Sequence, residues 1–215
     1  MSVKTKTNVR NLTTIAIMAA IASVLMMLEF PVPFVPVFLK FDFANLPALL
    51  VSFAIGPLAG VTVELLRNVI HLPFTHTACA GELANFLISA SFVFVAGIIY
   101  RFAKSRKGAL AAAITGAVTS SVICIPVNYY ISYPVFAKVY APMDVIIGLY
   151  QAVIPSIDNL WEALLIVNLP FTFVKGMICV LITFLIYKPL SPILKGTREK
   201  KSEKDNKDND ENKAV

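Results

Sequence analysis

Apolar residues fill most of the chain between residues 12 and 187, in runs separated by short polar or proline-containing stretches. A helix of about 20 apolar residues crosses the roughly 30 Å hydrocarbon core of a bilayer. The pattern therefore predicts an all-α integral membrane protein, a bundle of six transmembrane helices. Their expected ranges are 12–28, 43–55, from a Gly-Pro turn at 56–60 to 72, 81–103, 109–130 and 170–187. The second of them is short for a full crossing.

The positions of the basic residues predict the orientation of the bundle. Basic residues precede the first apolar run, and the densest basic cluster, 101–107, follows the fourth. Cytoplasmic segments are enriched in Lys and Arg, so both should be cytoplasmic, and four crossings between them satisfy this. Lys188 and Lys195 follow the sixth helix, so both termini are expected in the cytoplasm. If helices two and three instead form a re-entrant pair, the number of crossings between the two basic segments is still even, and both segments still lie in the cytoplasm.

The composition also indicates a membrane protein, because 57% of the residues are hydrophobic and only 15% are charged. A soluble domain of this size carries more charge on its surface. The net charge of +6 arises largely beside the apolar runs, where membrane topology and lipid headgroups explain it better than nucleic acid does. We expect a membrane domain over 1–195 and a disordered, mixed-charge cytoplasmic tail over 196–215.

The stretch from residue 30 to residue 60 combines irregular backbone with isolated charge. Pro31, Pro33 and Pro36 exclude a helix there and require an extended chain. Lys40 and Asp42 then stand alone in apolar sequence just before the second predicted helix. Charged side chains next to irregular backbone, between membrane spans, are typical of a ligand site.

Further polar residues recur at the predicted outer ends of helices four, five and six. Each would be costly facing lipid, so we expect them to point inward together. Such a group of amides, hydroxyls, carboxylates and lysines suits a planar small molecule with polar edges. The candidate binding residues are Leu39, Lys40, Phe41, Asp42, Asn45, Glu82, Asn85, Asn128, Tyr129, Thr172 and Lys175. The alternative is that the polar residues pair with one another, for instance Asp42 with Lys175, and leave no cavity.

Two other spacings are notable. Glu64 and Arg67 lie three residues apart on the third helix and are interpreted as an intrahelical ion pair and packing element rather than a site. Ala16 and Ala20 lie four apart on the first helix, in a small-residue stripe that allows another helix to approach closely in lipid. The alternative is that these alanines are ordinary helix residues with no role in contacting another helix.

Sequence motifs of catalysis are absent. The chain contains no phosphate-binding GxxxxGK[ST], no HExxH and no GxSxG, and no histidine stands beside a membrane serine or threonine to activate it. The three cysteines are widely spaced, and the two histidines lack further ligand residues at metal-binding spacing. We therefore expect no enzyme, no cofactor and no metal site.

Three blocks of the sequence, taken together, resemble a known family. They are LKFDFANLPALLVSFAIGPLAG from residue 39, GELANFLISA from residue 81 and NLPFTFVKG from residue 168. From the first helix to the sixth, the chain resembles the riboflavin-specific S components of energy-coupling factor (ECF) transporters. The resemblance implies a six-helix bundle in the cell membrane. It also implies a vitamin held near the outer face, between the loop after helix one and the outer parts of helices four, five and six.

The resemblance further implies partners and residue roles. An S component captures its vitamin and associates with a membrane coupling protein and two cytoplasmic ATPases, which drive release. By the same resemblance, Ala16 and Ala20 contact the coupling protein and Lys175 contacts the flavin. Thr172 stands where the family often has Asn, so a hydroxyl remains but an amide contact is lost. Riboflavin or a close flavin such as FMN is the expected ligand. The alternatives are an S component for another vitamin, such as a pterin or thiamin precursor, and a small membrane enzyme.

Overall fold

Helices form most of the described part of the chain. The computed structural model describes residues 3–33, 35–36, 38–75, 79–139 and 141–195, and the predicted tail over 196–215 lies outside them. The first half of the chain contains α1 Val3–Met27, β1 Phe30–Pro31, β2 Lys40–Phe41, α2 Asn45–Ala54, α3 Pro57–His71 and α4 Ala80–Phe102. The two strands pair antiparallel, with Phe30 opposite Phe41. We call the end of the bundle that carries this pair the hairpin end.

Two long helical paths and one short helix make up the second half. The first path joins α5 Arg106–Val127, a π-helical stretch Asn128–Ser132 and α6 Tyr133–Val139. The short helix is α7 Met143–Gln151. The second path joins α8 Leu160–Ala163, a π-helical stretch Leu164–Asn168 and α9 Leu169–Lys195.

Four helical segments among the described residues are long and apolar enough to cross a membrane. They are Val9–Met27, Ala80–Phe102, Arg106–Val139 and Leu160–Ile186. By contrast, α2 has only 10 residues and α3 has 15, as expected for a short second helix. Every residue of α2 from 45 to 52 is buried, so this helix packs among the longer ones. The architecture is that of a mostly helical, multi-pass membrane protein.

The fifth helix extends beyond its predicted end. The sequence predicts an end near residue 130, whereas helical structure continues to Val139. Pro126 has no backbone N–H to donate, and the π-helical stretch begins two residues after it. The wider π turn accommodates the interruption without ending the helix. The connection to α7 therefore begins only after α6.

The last helical path begins at Leu160, before the predicted start at Pro170. Asn159 caps this earlier start, since its side chain accepts a hydrogen bond from the Glu162 backbone N–H at 3.0 Å. Pro170, the predicted first helical residue, lies inside this continuous helical path, two residues after the end of the π-helical stretch at Asn168. The predicted start of the sixth helix at residue 170 is therefore about ten residues too late.

Small residues bring α2, α3 and α4 close together. Ser52 Oγ donates a hydrogen bond to the Val93 carbonyl oxygen at 2.7 Å. A Cβ added at Gly60 would lie 2.7 Å from Ser52 Cβ, and one added at Gly97 would lie 2.1 Å from Ser52 Oγ. Glycine at both positions therefore permits this approach. The contact holds the three helices in close packing at the ends away from the hairpin.

A ring of three buried polar groups joins the connecting segments at the hairpin end. The Tyr133 hydroxyl hydrogen-bonds the Tyr150 hydroxyl. Tyr150 in turn donates to Asn168 Oδ1 at 2.6 Å, and Asn168 Nδ2 donates back to Tyr133 at 3.0 Å. All three residues are at most 2% exposed. The ring ties α6 and α7 to the π-helical stretch before α9.

Replacing Tyr150 by phenylalanine should lower the thermal unfolding midpoint of the detergent-purified protein. The change leaves the buried Asn168 Oδ1 without its donor, a loss of about 1–3 kcal/mol in unfolding free energy. Tyr130→Phe is the matched control, because Tyr130 is 74% exposed. Equal midpoints for the two variants would show that the ring does not contribute to stability.

Candidate ligand-binding site

A cavity of about 770 Å³ lies at the hairpin end, between the hairpin and helices α3, α4, α5 and α9. Pockets that hold drug-sized ligands have volumes of about 300–1,000 Å³. Nine of the eleven predicted binding residues line it, namely Leu39, Lys40, Asp42, Asn45, Glu82, Asn85, Asn128, Thr172 and Lys175. The structure therefore brings together polar residues from segments far apart in sequence, and the alternative of a polar cluster without a cavity is wrong.

The other two predicted residues are not among the described cavity-lining residues. Phe41 is buried in the hairpin, with ring centroids 5.6 Å from Phe30 and 5.2 Å from Phe43. Tyr129 packs against Trp161, with 5.8 Å between ring centroids, and is 38% exposed. Phe41 thus supports the hairpin, and Tyr129 belongs to an aromatic group on the outside of the bundle.

Asp42 and Lys175 form an ion pair at the cavity wall. Lys175 Nζ donates to Asp42 Oδ2 at 2.7 Å, and Asp42 Oδ1 accepts from the Ala44 backbone N–H at 2.8 Å. Asp42 lies in the connection before α2, outside the long spans. Burial alone would raise the pKa of this carboxyl, but Lys175 and Arg67 outweigh burial, and the pKa lies below its usual range. The pairing that the sequence left open as an alternative therefore occurs for these two residues, and the cavity is present beside it.

The hairpin contributes a second ion pair. Lys40 Nζ donates to Glu29 Oε1 at 2.5 Å, and both residues line the cavity. The Lys40 side chain is 45% exposed and that of Glu29 28%. Sequence reasoning missed Glu29, because its place beside Lys40 depends on the strand register, which pairs Pro31 with Lys40.

Glu82 belongs to a polar group at the cavity margin. Its Oε1 lies 3.1 Å from His71 Nδ1, and its Oε2 accepts from the Thr75 hydroxyl at 2.7 Å. His71 lines the cavity as well. The carboxylate of Glu82 in the first turn of α4 is thus held by His71 at the end of α3 and by Thr75 shortly after it.

Arg67 lies behind the cavity wall and contacts several of its residues. Its Nε donates to Glu64 Oε2 at 2.5 Å, so the predicted intrahelical ion pair is confirmed. Its Nη2 donates to Asn45 Oδ1 at 2.7 Å and to Ser89 Oγ at 3.0 Å. Arg67 therefore hydrogen-bonds cavity residues on α2 and α4 as well as Glu64. The i, i+3 spacing on α3 gives no indication of these two further contacts.

The remaining polar residues line the cavity from α4, from the π-helical stretch after α5 and from α9. Asn85 Nδ2 donates to Asn68 Oδ1 at 3.1 Å. Asn128 Oδ1 accepts from the Ser132 hydroxyl at 2.9 Å. Thr172 and Lys175 both face the cavity, as their i, i+3 spacing on one helix predicts.

Apolar and aromatic side chains complete the wall, and the sequence analysis missed most of them. Phe171 on α9 lines the cavity next to Thr172. Phe38 also lines it and packs edge-on against Tyr150, with 5.6 Å between ring centroids. Tyr133 and Asn168 reach the cavity from a region predicted to be outside the site. For Asn168 the available signal was a single amide side chain in apolar sequence, whereas Tyr133 stands among other polar and aromatic residues and gives no such signal.

Comparison with known proteins identifies the family. The family model described as the ECF transporter substrate-specific component matches residues 10–187, most of the chain. The chain belongs to this family. The resemblance found in the sequence is therefore confirmed, and an S component is a transporter subunit and not an enzyme.

Individual relatives match over nearly the same length. The riboflavin transporter RibU of Staphylococcus aureus is 31% identical over 186 residues, which cover 86% of this chain and 93% of the relative. The riboflavin transporter FmnP of Bacillus subtilis is 28% identical over 194 residues, or 88% and 96% of the two chains. A solved S component of a bacterial ECF transporter superposes with a TM-score of 0.69 at 29% identity, covering 87% of this chain and 99% of that one.

Proposed function

We propose that this S component binds riboflavin, or a close flavin such as FMN, in the cavity at the hairpin end and presents it for ATP-driven uptake. The observation that carries the proposal is the cavity itself, which combines polar groups with apolar walls in a chain similar to named riboflavin transporters. A flavin has a flat ring with polar edges and a hydroxyl-bearing side chain. Such a ligand matches this mixture of groups.

The proposed contacts divide between hydrogen bonds and enclosure. Hydrogen bonds to the ring edge and the ribityl chain come from Asp42, Asn45, Asn85, Asn128, Thr172 and Lys175. Leu39 and the lining aromatic residues enclose the ring, and Lys40 and Glu82 lie at the margin. The hairpin closes over the ligand as a gate, and Phe38 anchors it against Tyr150. Binding involves no covalent step.

The proposed topology has six crossings with both termini in the cytoplasm and the hairpin end outside. Four segments long enough to span support it, and α2 and α3 supply the remaining pair as shorter crossings. The basic cluster between α4 and α5 then lies in the cytoplasm, as positive-inside bias requires. The membrane domain covers 1–195, followed by a charged cytoplasmic tail.

The proposed partners are a membrane coupling protein and two cytoplasmic ATPase subunits. Ala16 and Ala20 are exposed on α1, whereas Ala19 and Ser23 on another face of the same helix are buried in the bundle. An exposed stripe of small residues permits close helix approach in lipid. We assign Ala16 and Ala20 to the coupling protein on this ground.

Competition binding tests the ligand assignment. Labelled riboflavin bound to the protein should be displaced by unlabelled riboflavin at stoichiometric ratios. A large excess of thiamin or of a pterin should leave the labelled riboflavin bound. FMN displacement measures how far the site accepts a phosphorylated flavin. Tighter binding of a pterin or thiamin compound than of riboflavin would assign the protein to that vitamin instead.

A further inference from the structure

Arg67 is fully buried, yet it lies behind the wall of the ligand cavity and not on it. It is 0% exposed and contacts α2, α3 and α4 through Asn45, Glu64 and Ser89. A buried guanidinium is costly unless its donors are paired. Its position beside two proposed ligand-binding residues, Asn45 and Asp42, therefore requires an explanation beyond packing.

One donor of Arg67 makes no hydrogen bond. Nη1 is one of two buried side-chain polar atoms without a hydrogen-bond partner among the described residues, the other being Glu64 Oε1. Nη1 lies 3.7 Å from Asp42 Oδ1, within ion-pair range but beyond a good hydrogen bond. A small movement of the Asp42 carboxylate would supply this donor with an acceptor.

Asp42 is thus placed between two cations. Its Oδ2 accepts from Lys175 at 2.7 Å, and its Oδ1 faces Arg67. A ligand that accepts hydrogen bonds from Lys175 competes with Asp42 for the ammonium group. Without a second cation, Asp42 would remain buried and poorly paired in the complex, which would oppose binding.

We propose that Arg67 is a positioning residue of the ligand site, which holds Asn45 in place and supplies the counter-ion that Asp42 retains when a ligand engages Lys175. The inference rests on the proposed function, since it requires a ligand at Lys175. The charges balance, because the carboxylates of Asp42 and Glu64 face the cations of Arg67 and Lys175. Ligand binding then rearranges hydrogen bonds within a neutral group and uncovers no isolated charge.

Riboflavin titration of the double variant Glu64→Gln/Arg67→Met tests the proposal. The double change removes a buried pair of opposite charges together, so that no unpaired ion is left at these positions, and Glu64→Gln alone is the control. The double variant should bind riboflavin at least about tenfold more weakly than the wild type, with the control within about threefold, because Asp42 then has no second counter-ion.

The pH dependence separates this role from simple loss of packing. In the double variant, Asp42 must take up a proton when the ligand engages Lys175, so the dissociation constant should rise with pH, by at most about tenfold per unit, between about pH 5.5 and 8. The wild type and the control should be nearly flat. The ionisable groups that act on Asp42 are Lys175 and Cys179 on α9 and Glu64 and Arg67 on α3.

Arg67→Lys provides a second variant in case the double variant does not fold. It keeps a cation but loses the planar fork, so riboflavin should bind several-fold more weakly with a flat pH profile. Wild-type affinity in Arg67→Lys would overturn the proposed role of Arg67, and so would wild-type affinity with a flat pH profile in the double variant. Either result would leave the proposed binding of riboflavin intact. A wild-type protein that binds no riboflavin would overturn the proposed function and this inference with it.

Discussion

Lys175→Ala should weaken riboflavin binding at least tenfold while the protein remains folded. Lys175 offers the ligand a charged donor in a largely buried site, and a hydrogen bond to a charged group contributes about 1.5–3 kcal/mol, or about tenfold or more in affinity. The fold should survive because Asp42 keeps Arg67 as a neighbouring cation.

Fluorescence titration gives the dissociation constant of this variant, and thermal unfolding without ligand checks its fold. Lys138→Ala is the matched control, since Lys138 is exposed on α6 and is not among the described lining residues. An unchanged dissociation constant in Lys175→Ala would remove Lys175 from the site.

The double variant Ala16→Leu/Ala20→Leu should abolish riboflavin uptake while leaving riboflavin binding intact. Leucine side chains at these exposed positions would hold a partner helix away from α1, and neither residue is among the described lining residues. Uptake is measured in cells that also produce the coupling protein and the ATPases, and co-purification reports assembly.

Ala111→Leu is the control for this variant, since Ala111 is exposed on α5. It adds the same side chain to a different helix and should support normal uptake. Normal uptake by the Ala16→Leu/Ala20→Leu protein would show that the stripe is not the contact with the coupling protein.

Hydrophobic patterning was enough to predict the helical membrane architecture, because long apolar runs in a bilayer have few alternatives to a helix. The same physics located much of the site. Lys40, Asp42 and Lys175 are charged residues in apolar sequence, and the cost of exposing them to lipid predicts that they turn inward. The structure places all three around one cavity.

Features that depend on helix register and on contacts of long side chains could not be predicted from the sequence. The π-helical stretches at 128–132 and 164–168 change which residues face inward, and no periodicity signals them. Tyr133, directly after the first stretch, and Asn168, the last residue of the second, both reach the cavity. Arg67 has an adequate partner in Glu64 at i, i+3, so the sequence indicates a satisfied pair. Only the close packing of α2, α3 and α4 brings its other donors to Asn45 and Ser89.

Riboflavin titration of the detergent-purified protein, preceded by an absorbance spectrum, tests the central claim most directly. The account predicts a co-purifying flavin band, or quenching of riboflavin fluorescence that saturates near one equivalent. A colourless preparation that leaves riboflavin fluorescence unchanged at every protein concentration would contradict the assignment of riboflavin as the ligand.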